Sequence, residues 1–278
     1  MARAPKILVF DSGLGGLTVF SQIALLRPDA EYVYAADEAG FPYGALPESA
    51  LAPRVVDVVG RMIALFSPDL AIIACNTAST LALADLRAAL PQIPFVGTVP
   101  AIKPAAARSR SRMISVLATP GTVARDYTRG LIEAYAGDCK VTLVGARGLA
   151  RLAEDFMQDG AAPDAAIAAE IGPAFVEADG RRTDCIALGC THYPLLLTEF
   201  ERLAPWPVEW IDPAPAIARR ADDVLTRELG LPACAAARPA APIAVLTGER
   251  EPNDRLAATL RRRGFTAIRI EPMPLVFA

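Results

Sequence analysis

The chain's single histidine, His192, stands two residues after Cys190 in IALGCTHYPLL, residues 186–196, just past a short apolar run. AIIACNTASTL, residues 71–81, follows the same plan: an apolar run, then Cys75, then the polar pair Asn76 and Thr77. A thiolate can take a proton from carbon and a thiol can return one, provided the sulfur is held near its working charge state. Both cysteines fall where a strand hands over to the next element, and open α/β sheets bind ligands beyond that end of their strands. There the positive end of a following helix would favour the thiolate. A single such cysteine is often only a small core residue. Core packing, however, does not call for Asn-Thr and Thr-His at the same place in two segments. Inverting a stereocentre with an acidic hydrogen needs a base on one face of the carbon and an acid on the other, with the roles exchanged in the reverse direction. A pair of thiols meets that need.

The surrounding pattern is strands alternating with helices. KILVF, EYVYAAD, DLAIIAC and PFVGTV read as strands of the first half, with helical periodicity in LTVFSQIALL, in TLALADLRAAL and after Pro53. In that last segment Val55, Val58, Val59, Met62, Ile63 and Phe66 share one face. The pattern restarts at RMISVLATPGT, continues through KVTLVGA, a helical RGLARLAEDF and an alanine-rich helix near residues 163–178, and reaches TDCIALGCTHY. IAVLTGE and AIRIEP supply strands near the C-terminus. Such alternation predicts α/β, doubly wound parallel sheets with helices on both faces. MISVLATPGT aligns on ILVFDSGLGG, placing Thr119 on Ser12, and DCIALGCTHY aligns on LAIIACNTAS, placing Cys190 on Cys75. We read this as an internal duplication, two similar α/β halves each ending a strand with a thiol.

Composition narrows the function classes. With 278 residues, 53% of them hydrophobic and 21% charged, the chain is globular and carries a sizeable core. A net charge of −3 without a basic stripe argues against nucleic acid as a partner. No apolar run reaches the roughly 18–20 residues of a membrane span, and MARAPKILVFDSG turns polar after four strongly apolar residues, so a protein of the cytoplasm, away from the membrane, is expected. The five cysteines lack zinc-ribbon or disulfide-scaffold spacing, so reduced thiols and no metal are expected. A site built from Cys185, Cys190 and His192 is the one zinc alternative. Lys6, Lys103 and Lys140, the only lysines, lie beside apolar strands or in an alanine-rich helix, which argues against a pyridoxal Schiff base. DSGLGG misses the dinucleotide fingerprint because Thr18 occupies its third glycine position.

Four motifs, DSGLGG at 11–16, PYG at 42–44, CNTAS at 75–79 and GCTHYPLL at 189–196, stand in an order and spacing that resemble the cofactor-independent glutamate racemases, over almost the whole chain. The resemblance implies interconversion of L- and D-glutamate without a cofactor, supplying D-glutamate for bacterial peptidoglycan. It also implies two α/β domains related by a pseudo-two-fold, residues 1–98 plus 211–278 and residues 99–210, with the active site between them. Cys75 would exchange the α-proton on the D-glutamate side and Cys190 on the L-glutamate side. Asp11 and Ser12 would contact the substrate and assist Cys75; read without the family, Asp11 is a helix N-cap and the glycines a tight turn. His192 would stand beside Cys190 as a proton partner or as an orienting hydrogen-bond donor near a substrate carboxylate, Glu154 would be the second assisting carboxylate, and Tyr43, Gly44, Asn76, Thr77, Thr119 and Thr191 would hydrogen-bond the substrate. Two departures from the family stand out: Ala146-Arg147 replaces a Cys-Pro pair, and ALPES follows PYG where a basic residue is usual. An aspartate or hydantoin racemase and a binding module without chemistry remain the alternatives, and a homodimer remains open as the assembly.

Overall fold

The computed structural model describes residues 3–275. It divides into two compact units, one running to Thr98 and resuming at Ala214, the other Val99–Pro213.

The first unit opens with β1 (Lys6–Asp11), α1 (Leu17–Leu26), β2 (Glu31–Ala36), α2 (Glu48–Phe66), β3 (Leu70–Ile73), α3 (Asn76–Ala89) and β4 (Phe95–Gly97). The second contains α4 (Ile102–Arg108), β5 (Met113–Ala118), α5 (Pro120–Val123), α6 (Asp126–Tyr135), β6 (Lys140–Gly145), α7 (Leu149–Asp159), α8 (Asp164–Ile171), β7 (Glu177–Ala178), β8 (Arg181–Arg182), β9 (Cys185–Gly189), α9 (Leu197–Leu203) and β10 (Glu209–Ile211). The chain then adds α10 (Ala214–Asp223), β11 (Ile243–Leu246), α11 (Asp254–Arg262) and β12 (Ala267–Ile270) to the first unit.

The first sheet is ordered β12-β11-β2-β1-β3-β4 and the second β10-β9-β5-β6, and every pairing in both is parallel. The doubly wound α/β reading is thus correct. β1 lies between β2 and β3 as β5 lies between β6 and β9, and β4 extends one sheet as β10 extends the other. The order β2-β1-β3-β4 is therefore repeated as β6-β5-β9-β10, as the aligned segments lead one to expect, and β11 and β12 extend the first sheet alone. β3 and β9 are buried along their whole lengths, which is why both read as unbroken apolar runs. On α2 the buried stripe Leu51, Val55, Val58, Val59, Met62 and Ile63 packs with Leu8, Phe10 and Ile73 of the sheet in one core.

Two local expectations are corrected, and the helix read after Pro53 starts earlier than its apolar stripe. The alanine-rich helix ends at Ile171, followed by a single turn at Gly172–Ala174 and the hairpin β7-β8. Pro173 has no N–H with which to continue α8. α2 begins at Glu48, ahead of Pro53, because Ala50 and Leu51 donate to Pro47 O at 3.0 Å and the helix is under way before the proline removes one donor. Asp11 is not a helix cap. α1 starts at Leu17 after five intervening residues, with Gly16 at its N-cap, and the Asp11 carboxylate braces that loop instead.

Candidate active site

In the first unit, β1 and β3 lie side by side with Phe10 opposite Ile73, so continuing that register sets Ser12 beside Cys75. The Cys75 thiol donates to the Ser12 hydroxyl at 3.7 Å, and both residues are buried. Asp11, fully buried, accepts from the N–H groups of Gly13 at 3.3 Å and Gly16 at 3.0 Å. Tyr34 closes the loop from the other side, its hydroxyl donating to Gly13 O at 2.6 Å. The glycine at 16 is dictated by space: a Cβ there would stand 2.7 Å from Cβ of Asp11 and 3.1 Å from that of Ala74. Cys75 is the extended residue immediately ahead of the 14-residue α3, so it stands at the positive end of that helix dipole.

Asn76 and Thr77 open α3, both buried. The side-chain oxygen and nitrogen of Asn76 have no hydrogen-bond partner within the protein. Leaving buried amide groups unmet costs about 1–3 kcal/mol each, so a polar partner at this spot would be favoured.

In the second unit β5 and β9 pair with Ala118 opposite Gly189, and one step further Thr119 falls beside Cys190. Thr119 caps α5, its hydroxyl oxygen accepting from Thr122 N at 3.3 Å and lying 3.0 Å from the Thr122 hydroxyl. The sulfur of Cys190 lies 3.9 Å from His192 Nδ1, and His192 Nε2 lies 2.8 Å from Glu154 Oε2, with all three residues buried. A carboxylate only accepts, so Nε2 carries the proton toward Glu154 and, in the neutral ring, Nδ1 turns a lone pair toward the thiol. α7 supplies Glu154 from one turn inside its N-terminus. Thr191 is buried beside the cysteine.

The two thiols differ in their setting, against the expectation of a helix start at each. A short turn, Tyr193–Leu196, follows Cys190, and only then comes the seven-residue α9. The imidazole–carboxylate pair of His192 and Glu154 stands beside Cys190, where Cys75 has the start of α3. Beside Cys190, burial above all holds the phenol of Tyr193 well above its ordinary range, with the charges of Cys190 and Glu170 adding to it, so it stays protonated.

The Tyr43 hydroxyl donates to Asp37 Oδ2 at 2.5 Å, within the core cluster that also contains Cys75. Burial first, then the nearby Asp37 charge, raises the phenol well above its usual range. Gly44 follows in the turn Tyr43–Ala45. Asp37, Arg54 and Thr247, which surround this tyrosine, escaped the motif reading. One signal was available: Arg54 is a charge inside the apolar stripe of α2, one turn from Leu51 and from Val58.

Cys185 and Cys190 sit at opposite ends of β9, about 16 Å apart along an extended strand, so they cannot share a metal ion with His192. Among the described residues no cluster of three His, Cys, Asp or Glu side chains could hold a metal, and no helix is long and apolar enough to cross a membrane.

Residues 23–221 match the Asp/Glu/Hydantoin racemase family. The glutamate racemase of Rhizobium meliloti strain 1021 is 60% identical over 215 residues, 77% of this chain and 78% of that protein. That of Brucella canis is 57% identical over 225 residues, 81% of each. Among solved structures, Escherichia coli glutamate racemase in complex with L-glutamate and the activator UDP-MurNAc-Ala superposes with a TM-score of 0.87 at 36% identity, covering 99% of this chain and all of that one.

Proposed function

The chain belongs to the glutamate racemases, within the Asp/Glu/Hydantoin racemase family, and from that premise we propose that it interconverts L- and D-glutamate with two cysteine thiols and no cofactor. The carrying observation is the repeated arrangement of hydroxyl and thiol, Ser12 with Cys75 and Thr119 with Cys190, at the carboxyl ends of equivalent adjacent strands in the two sheets.

In the proposed reaction the Cys75 thiolate removes the α-proton of D-glutamate and the Cys190 thiol delivers a proton to the opposite face of the carbon, giving L-glutamate. The enzyme is left with a Cys75 thiol and a Cys190 thiolate, the state that performs the reverse reaction. Asp11 and Ser12 steady the first sulfur. His192, held by Glu154, accepts and returns the proton of the second. Asn76, with its unmet amide, Thr77, Tyr43, Gly44, Thr119 and Thr191 bind the substrate's carboxylates and ammonium. The proposed role is supply of D-glutamate for peptidoglycan in the cytoplasm.

Serine at Cys75 or Cys190 tests the scheme, since the alcohol is far too weak an acid to share the work of a thiol. Each single variant is expected to lose net racemisation, followed by circular dichroism from either enantiomer. Retained racemisation in a folded variant refutes a two-thiol mechanism.

A further inference from the structure

Three strands of the first sheet end side by side, with Asp11 of β1 and Leu246 of β11 both paired with Ala36 of β2. The next residue after β2 is Asp37, whose N–H donates to Asp11 O at 2.8 Å. The next after β11 is Thr247, whose N–H donates to Ala36 O at 3.1 Å. Asp37 is fully buried, and its carboxylate collects four donors. Oδ2 accepts from the Tyr43 hydroxyl at 2.5 Å and Arg54 Nε at 2.9 Å, and Oδ1 from Arg54 Nη2 at 2.6 Å and the Thr247 hydroxyl at 2.6 Å. Arg54 also donates to the carbonyls of Met273 at 2.5 Å and Pro274 at 3.3 Å. A buried carboxylate is a liability unless its charge and lone pairs are met, and here both are.

This network is built tightly around the tyrosine. A Cβ on Gly40 would lie 2.7 Å from Asp37 Oδ2 and 2.8 Å from Tyr43 Cε1, so only glycine lets the carboxylate and the ring approach each other here. The ring also packs against Phe10, centroids 6.4 Å apart. With its hydroxyl committed to Asp37, the Tyr43–Gly44 segment has its peptide N–H groups to offer a ligand.

We propose that Asp37 is a positioning residue for glutamate binding: clamped by Arg54 and Thr247, it holds the Tyr43 hydroxyl and so fixes the Tyr43–Gly44 segment that the substrate meets. The proposal rests on the reading that Tyr43 and Gly44 line the substrate site. It places the control of substrate affinity in a buried carboxylate that touches no substrate atom and carries no proton of the reaction.

The test is steady-state kinetics of Tyr43→Phe, Asp37→Asn and the double variant with both glutamate enantiomers, with thermal melting of each. Loss of one hydrogen bond to a buried charge predicts KM raised about tenfold for both enantiomers, with kcat changed less than about threefold. The double variant should be no worse than Asp37→Asn alone, because Asp37 acts on the substrate segment through the Tyr43 hydroxyl. Should Asp37→Asn not fold, Tyr43→Phe and Thr247→Val carry the test with the same expected KM. A folded Tyr43→Phe with wild-type KM, a loss confined to kcat, or effects that multiply in the double variant overturns the proposal. Cys75→Ser in the same assay separates the two levels. If it is inactive while Tyr43→Phe binds as wild type, the positioning role alone falls. If it still racemises, the site reading falls as well.

Discussion

Glu154→Gln is the sharpest probe of how the second thiol works. The carboxylate lies 2.8 Å from His192 Nε2, and both side chains are almost wholly buried. Glutamine keeps an acceptor of the same shape but gives up the charge, replacing a charge-assisted hydrogen bond with a neutral one. That difference is about 1–1.5 kcal/mol for a buried pair, hence a slowing of the Cys190 proton transfer of about five- to tenfold. Because the two enantiomers are equal in free energy, kcat/KM must fall by the same factor in both directions, so a rate ratio cannot reveal which thiol was affected. The primary deuterium isotope effect can. If Cys190 breaks the C–H bond of L-glutamate, slowing that step exposes it, and the isotope effect with α-deuterated L-glutamate rises while that with α-deuterated D-glutamate falls. An unchanged kcat/KM, or a rise with the D-enantiomer, refutes the assignment of Glu154 and His192 to Cys190.

Gly16→Ala should lower the melting temperature and reduce activity, since the new methyl carbon meets Cβ of Asp11 at 2.7 Å and overpacking of this kind costs about 1–3 kcal/mol. Arg27→Met should destabilise more, by about 3–5 kcal/mol, because it strands the buried Asp29 carboxylate that Arg27 Nε meets at 2.9 Å; chemical denaturation measures it. Arg27 holds the Asp29 carboxyl below its ordinary range by hydrogen bonding. That contribution to stability is complete above about pH 4, is lost as pH falls through the depressed native value, and should be missing from the acid titration of the Arg27→Met variant. Cys185, whose thiol is pushed up to about 12 by burial and by the Asp184 and Glu209 charges, should resist alkylation at pH 8 in a peptide-mapped labelling experiment.

What the sequence discloses here is what short-range pattern encodes. Apolar runs buried on both faces and helical stripes mark the strands and helices, and the thiols announce themselves by the polar residues that follow them at strand ends. The contacts that complete the site are long-range and leave little local trace. Thr247 meets Asp37 across 210 residues of chain, and Glu154 reaches His192 across 38. Asp11 looked like a helix cap because an acid before glycines does resemble one. Only the fold shows that the helix starts at Leu17 and that the carboxylate closes the loop onto Gly13 and Gly16. In the segment after Pro163 alanines stand on both sides of Gly172-Pro173, and reading it as one helix passed over that local break, which separates α8 from the turn at Gly172–Ala174 and the hairpin beyond it.

The claim that two different sulfurs serve the two faces of one carbon is tested most directly by isotope partition in heavy water. Unlabelled D-glutamate is given to the wild-type protein with no cofactor added, and early samples of both enantiomers are analysed by mass. Two thiols predict L-glutamate carrying deuterium at the α-carbon from the first turnovers, while the remaining D-glutamate stays unlabelled. L-glutamate that keeps the substrate's own hydrogen would mean that a single base carries the proton across, and would contradict the account.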